Sequence, residues 1–201
     1  MIGIVFYNMG NLASVKNAFK KVGVEAEVVS DADKIKNYDK LFLPGVGAFG
    51  DAIEHLKENS LDEAIKEFIK SGKYVLGVCL GMQILFEKGY EFGEHKGLGV
   101  IPGEVVRFDD SKLNGHKIPH MGWNKMFFKG HTPLFEGLKD PYLYFVHSYH
   151  AVCDDKYVIG KTLYGYEFVS AVNKDNVFGF QPHPEKSHNA GLRVIENFAK
   201  L

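Results

Sequence analysis

The sequence predicts an α/β fold in which a parallel sheet carries helices on its faces and gains antiparallel strands in its second half. Three observations predict it. Apolar strand-like runs alternate with amphipathic helix-length segments over residues 2–78. From residue 100 onward the runs are short and β-rich. Residues 190–201 then return to an amphipathic helical period that would pack back on the sheet.

Taken in order, residues 2–7 (IGIVFY) read as the first strand and 12–21 as the first helix. Strands follow at 25–29 and 40–43, helices at 51–57 and 61–70, a strand at 74–78 and a helix over 82–87. The later strand-like runs are 104–108, 123–128, 142–146, 158–168 and 177–181, before the closing helix. No repeat, low-complexity tract or Pro/Ser-rich linker divides the chain, so residues 1–201 are expected to form one domain. That length buries a substantial core without disulfides or a metal.

Charge excludes several function classes. The 24 basic and 25 acidic residues nearly cancel and no long basic block occurs, so neither nucleic acid nor an anionic membrane is an expected partner. Only Cys79 and Cys153 are available for disulfide chemistry. No apolar stretch approaches the roughly 20 residues of a membrane span, and residues 2–7 lack the charged leader of a signal peptide. The cytoplasm is the expected location. No metal and no cofactor are expected, and Cys153 reads as a structural thiol on a strand.

The strongest local feature is Gly77-Val78-Cys79-Leu80-Gly81. A small-flanked cysteine between a strand and a helix has the form of a nucleophile elbow, a sharp turn that exposes the side chain at its apex. The positive end of the following helix favours a thiolate. A buried small hydrophobe is the alternative for a lone cysteine, and a partner base decides between the two. Phe180-Gln181-Pro182-His183-Pro184-Glu185-Lys186-Ser187 supplies one. Two prolines stiffen the backbone around His183, and Glu185 is placed to bond the far ring nitrogen and fix the tautomer. Cys79, His183 and Glu185 thus have the order nucleophile, base, orienter.

Gly45-Val46-Gly47-Ala48-Phe49-Gly50 also matches the dinucleotide-binding G-x-G-x-x-G. That reading is rejected: the turn is not the first of the chain, and about twenty residues on, where an acid should end a second strand, lies the helical stretch near 66–70.

Together, Pro44-Gly45-Val46-Gly47-Ala48-Phe49-Gly50, Gly77-Val78-Cys79-Leu80-Gly81-Met82-Gln83 and His183-Pro184-Glu185-Lys186-Ser187 make the chain resemble the class I glutamine amidotransferases. Within that family it is similar to the glutaminase subunits of imidazole glycerol phosphate synthases, through Met9-Gly10-Asn11-Leu12, Pro119-His120-Met121-Gly122-Trp123-Asn124 and Tyr144-Phe145-Val146-His147-Ser148-Tyr149. The resemblance runs from Met1 to Leu201. It implies a flavodoxin-like, mostly parallel sheet flanked by helices, and hydrolysis of glutamine through a cysteinyl thioester. It also implies an oxyanion hole formed by the amide of Leu80 and one from the turn at Val46 and Gly47. Gln83 and Glu91 would hold the α-groups of glutamine, with His147, Ser148 and Tyr149 lining the same site. Ammonia would pass to a separate (β/α)8 cyclase subunit in a heterodimer of histidine biosynthesis, a barrel needing about 250 residues of its own. Asn11, Met121, Trp123 and Lys186 would face that partner.

Two positions depart from the family pattern: Phe6-Tyr7-Asn8 lacks the aspartate often seen before Tyr-Gly-Met-Gly-Asn, and Pro182 stands where the family commonly has phenylalanine. Three other readings stay open on the sequence. One is a paralogous amidotransferase feeding a surface-sugar synthase, another a flavodoxin-like cysteine hydrolase, and the third a non-enzymatic scaffold for a partner.

Overall fold

Residue alternation in the first strands explains the layered architecture. In β3 (Lys40–Leu43) Leu41 and Leu43 enter one apolar cluster while Phe42 enters another, and in β1 (Ile2–Val5) Val5 parts in the same way from Ile2 and Ile4. Strands apolar on both sides need a cover on both faces. A computed structural model describes residues 1–201 and provides that cover. On one face lie α2 (Ala32–Ile35), α3 (Phe49–Glu58) and α4 (Leu61–Lys70), through Ile35, Ile53, Leu56, Ile65 and Phe68. On the other lie α1 (Leu12–Lys21) and α6 (His188–Lys200), through Val15, Phe19, Val194, Ile195 and Phe198.

The remaining elements are β2 (Ala26–Val29), β4 (Tyr74–Val78), α5 (Leu80–Gln83), β5 (Phe86–Gly89), β6 (His95–Lys96), β7 (Ile101–Arg107), β8 (His120–Phe128), β9 (Tyr142–His147), β10 (Tyr149–Val152), β11 (Val158–Tyr164), β12 (Tyr166–Lys174) and β13 (Val177–Phe180). The sheet order is β2-β1-β3-β4-β13-β12-β10-β7-β5-β6, with β11 joined at β12, β8 paired to β11 and β9 paired to β8. Neighbours from β2 to β13 run parallel, whereas β13–β12, β12–β10 and β10–β7 are antiparallel. The α/β fold with antiparallel additions is therefore the one observed.

Three expectations are corrected. The first strand ends at Val5, not at residue 7. Residues 82–87 do not form a helix, because α5 stops at Gln83 and β5 begins at Phe86. The carbonyls of Ile84 and Leu85, which a longer helix would give to residues 88 and 89, accept instead from Leu98, Val100 and Ile101. The run 158–168 is a hairpin, β11 and β12, broken at Gly165 with φ +71°.

Topology positions the site. β3, β4 and β13 are adjacent and parallel, with Phe180 level with Val78. Their carboxyl ends therefore deliver the 44–48 turn, Cys79 and the Gln181–Glu185 segment to one edge of the sheet, where open α/β sheets place ligands. No helix is long and apolar enough to cross a membrane.

Candidate active site

Cys79 sits at the apex expected of an elbow. Its backbone has φ +53° and ψ −112°, a conformation costly for any residue with a Cβ, and its N–H donates to Phe180 O at 2.8 Å. The surrounding glycines permit the turn: a Cβ on Gly81 would lie 1.9 Å from Leu43 O, and one on Gly77 would lie 2.3 Å from Gly81 O. With only four residues, α5 contributes orphan N–H groups more than a helix dipole. The Leu80 amide, first of that helix, has no hydrogen-bond partner in the protein.

His183 is buried, and its Nδ1 lies 2.8 Å from Glu185 Oε1. The carboxylate accepts, so the proton of the neutral ring is on Nδ1 and Nε2 carries the lone pair. Nε2 and Glu185 Oε2 are both buried without a hydrogen-bond partner. Burial works to lower the imidazole pKa, but the negative sulfur of Cys79 and then Glu185 outweigh it, and the pKa is raised to about 10. This favours the imidazolium form of His183.

A cavity of about 310 Å³ opens beside Cys79, lined by Val46, Gly47, Leu80, Gln83, Glu91, Val146, His147, Ser148 and Tyr149. Every residue expected in the oxyanion hole or around glutamine lines this one space. The amides of Val46 and Gly47 donate to nothing in the protein. Gly47 has φ +116°. Tyr7 underlies this turn, its buried hydroxyl donating to Pro44 O. Burial, and next the Cys79 charge, push the phenol pKa well up, so Tyr7 stays a donor.

Glu91 faces the cavity with one oxygen already engaged: Oε2 accepts from Phe49 N at 2.9 Å and caps α3, whose Ala48 N-cap has no side-chain acceptor. Burial is the main cause that raises its pKa. Gln83 donates through Nε2 to Tyr149 O and to Gln181 Oε1, both at 3.1 Å, so only its Oε1 remains for a ligand.

His147 lines the cavity with its ring engaged on both sides. Its Nδ1 is 2.7 Å from Tyr149 O, and its Nε2 is 2.9 Å from His120 Nδ1. Both ring nitrogens are spent, so His147 shapes the cavity wall instead of holding a ligand. Burial is the first cause that keeps both rings neutral, holding His147 well below the ordinary value and His120 at about 4. Asn124 Nδ2, 3.2 Å from His120 Nε2, completes the chain.

Sequence reasoning missed Gln181, which is fully buried with Nε2 at 3.6 Å from Cys79 Sγ. The signal was its place between a strand end and the base loop. Cys153 falls one residue past β10, not on it, and burial, then Asp154 and Asp155, push its thiol up to about 11. No group of three or more His, Cys, Asp or Glu side chains has metal-holding geometry.

Of the residues expected at a partner face, Met121 and Trp123 are 62% and 46% exposed, and Trp123 stacks on His188 at 4.9 Å. Lys186 Nζ stands 5.7 Å from the Tyr144 ring centre. Asn11 caps α1, accepting from Ser14 N at 3.2 Å.

The class I glutamine amidotransferase family model matches residues 5–201. The chain belongs to the class I glutamine amidotransferases. It is therefore an enzyme with glutaminase activity. Among relatives of this amidotransferase, the imidazole glycerol phosphate synthase subunit HisH of Sulfurimonas denitrificans is 65% identical, covering 100% of this chain and 98% of the relative. The protein of that name from Wolinella succinogenes is 56% identical over the whole of both chains. Solved folds agree: a glutamine amidotransferase crystal structure aligns with TM-score 0.77 at 19% identity, over 100% of this chain and 99% of that one. The PurLQS structure from Thermotoga maritima aligns with TM-score 0.78 at 21% identity, over 99% and 97%.

Proposed function

We propose that this amidotransferase is the glutaminase subunit of an imidazole glycerol phosphate synthase, hydrolysing glutamine to glutamate and ammonia for a cyclase partner in cytoplasmic histidine biosynthesis. The observation that carries the chemistry is the buried pair at one wall of the cavity: Cys79 at a strained apex, and His183 with Glu185 behind it. The Cys79 thiolate attacks the carboxamide carbon, forming a C–S bond and an oxyanion. The amides of Leu80 and of Val46 or Gly47 receive that oxyanion. Imidazolium His183 gives its Nε2 proton to the departing ammonia. The neutral ring then takes a proton from the water that attacks the thioester, releasing glutamate and restoring the ion pair. Ser148, Tyr149, Glu91 and the free Oε1 of Gln83 surround the α-amino and α-carboxylate groups.

The identity of the relatives supports the synthase partner, and the exposed Met121 and Trp123 with Lys186 offer a surface for a (β/α)8 cyclase, with Asn11 a further contact. Cys79→Ala tests the assignment. Glutamine-dependent product formation by the subunit–cyclase complex should fall by about a thousandfold or more, while ammonium-dependent formation persists. Loss of both, or of neither, sinks it. Stimulation of glutamine turnover by the cyclase with its ligand separates this reading from a surface-sugar amidotransferase.

A further inference from the structure

One hydrogen-bond acceptor that cannot donate fixes the orientation of the Gln181 amide. Tyr149 O is a carbonyl, so the Gln83 atom 3.1 Å from it must be the NH2 nitrogen. That nitrogen has a second partner in Gln181, also at 3.1 Å, which must therefore be the oxygen Oε1. Both hydrogens of Gln83 are then used. The NH2 end of Gln181 is left facing Cys79 Sγ at 3.6 Å, within reach of a sulfur acceptor. Rotating the Gln181 amide would set two NH2 groups against each other in a fully buried site, at the cost of two lost hydrogen bonds. The backbone is pinned as well, since Gln181 N donates to Ser170 O at 2.9 Å.

We propose that Gln181 is a catalytic residue, its side-chain N–H donating to the Cys79 sulfur and stabilising it as a thiolate, both before attack and as the leaving group of the thioester. The inference deepens the glutaminase reading and rests on Cys79 being its nucleophile. On its other side the sulfur has Val146 O at 4.0 Å. That carbonyl can accept from a thiol but repels a thiolate, so the Gln181 N–H is the contact that distinguishes the two forms in favour of the anion. A neutral donor does this without titrating. The ionisable groups facing the sulfur are His183, with Glu185 behind it, from the loop after β13, Tyr7 from the segment after β1, and His147 from β9 through its interaction with His183. Gln181 acts in addition to His183: the imidazolium supplies charge and later a proton, and the amide holds the sulfur while that proton is away.

The test is the pH profile of iodoacetamide alkylation in a Cys153→Ser background, where Cys79 is the one remaining thiol. Gln181→Met keeps volume and removes the donor. It should move the alkylation midpoint up by about one pH unit, slow labelling at neutral pH about tenfold, and lower kcat for glutamine with KM nearly unchanged. An unchanged profile in a Gln181→Met protein that melts like its parent overturns the proposal. Should that variant not fold, the parent chain itself answers through NMR. The Gln181 side-chain amide proton should shift as the Cys79 thiol titrates and stop shifting in Cys79→Ala; no shift in the parent overturns the proposal as firmly. A parent whose amide tracks the thiol but whose glutamine turnover survives Cys79→Ala keeps the contact and sinks the glutaminase assignment instead.

Discussion

The two walls of the cavity around Cys79 are built on opposite principles. The wall from β4 and β13 is buried and cross-linked: Cys79, His183 and Gln181 are 6%, 2% and 0% exposed, and Gln83 and Glu185 hold their partners in place. The facing wall, the 44–48 turn, carries the 42%-exposed Val46 and a glycine at φ +116°, and its Val46 and Gly47 amides have no protein partner. A wall so buried and cross-linked is set once, by folding. A turn with so few internal bonds is set by local backbone preference and by whatever binds against it. Cys79, His183 and the Leu80 amide are therefore part of the core, whereas the Val46 and Gly47 amides are the adjustable half of the site.

An added methyl group on each wall should break or sharpen that contrast most strongly. In Gly81→Ala the new Cβ meets the Leu43 backbone carbonyl at 1.9 Å, and nothing flexible can yield. Thermal unfolding should show a loss of more than about 4 kcal/mol, or no folded protein at all. In Gly47→Ala the Cβ meets Met9 Sδ at 2.9 Å, the end of a flexible side chain, so the cost is the positive φ, about 1–2 kcal/mol. Glutamate production should nonetheless drop by about a hundredfold as the turn relaxes from its donor geometry. Comparable melting losses in the two variants contradict the division between walls.

Proton linkage gives the next effect, on the order of 3 kcal/mol. His120 is held at about 4 by burial and then by the charge of His116, against 6.5 when unfolded. Between those values the unfolded chain binds a proton that the folded chain refuses, so stability falls as pH drops from about 6.5 to about 4. His183 has the opposite sign. Its pKa is raised to about 10, so its contribution is complete below about 6.5 and is lost as pH climbs toward 10. Melting temperature against pH should thus decline on both sides of neutrality. Cys79→Ser, which removes the negative sulfur, should flatten the alkaline limb and leave the acid limb unchanged.

What the sequence made legible follows the same line. Alternation along residues 40–43 and 74–78 shows a strand buried on both faces, and glycines beside Cys79 show an elbow, because both are local demands on the chain. The His183–Glu185 contact was legible because the two residues are two positions apart. Gln181, the commitment of the His147 ring to His120, and the capping of α3 by Glu91 were not, since each depends on pairing between residues 27 to 102 positions apart. The stop of α5 at Gln83 was hidden for the same reason: strand residues near 98–101 claim the carbonyls that a longer helix needs.

The smallest predicted effect joins the two walls. Tyr7 lies under both, its hydroxyl donating to Pro44 O at the root of the exposed turn, while its charge interaction is with Cys79. Tyr7→Phe keeps the ring and its packing but leaves the Pro44 carbonyl without that donor, a stability loss of about 1–3 kcal/mol. If the hydroxyl only fills a core bond, melting temperature falls and glutamine turnover does not. If it anchors the turn, kcat drops about three- to tenfold with KM unchanged, less than in Gly47→Ala because the lost bond lies two residues before Val46. Measuring both quantities on one preparation decides whether the adjustable wall hangs from the core by this single hydroxyl or by its own backbone.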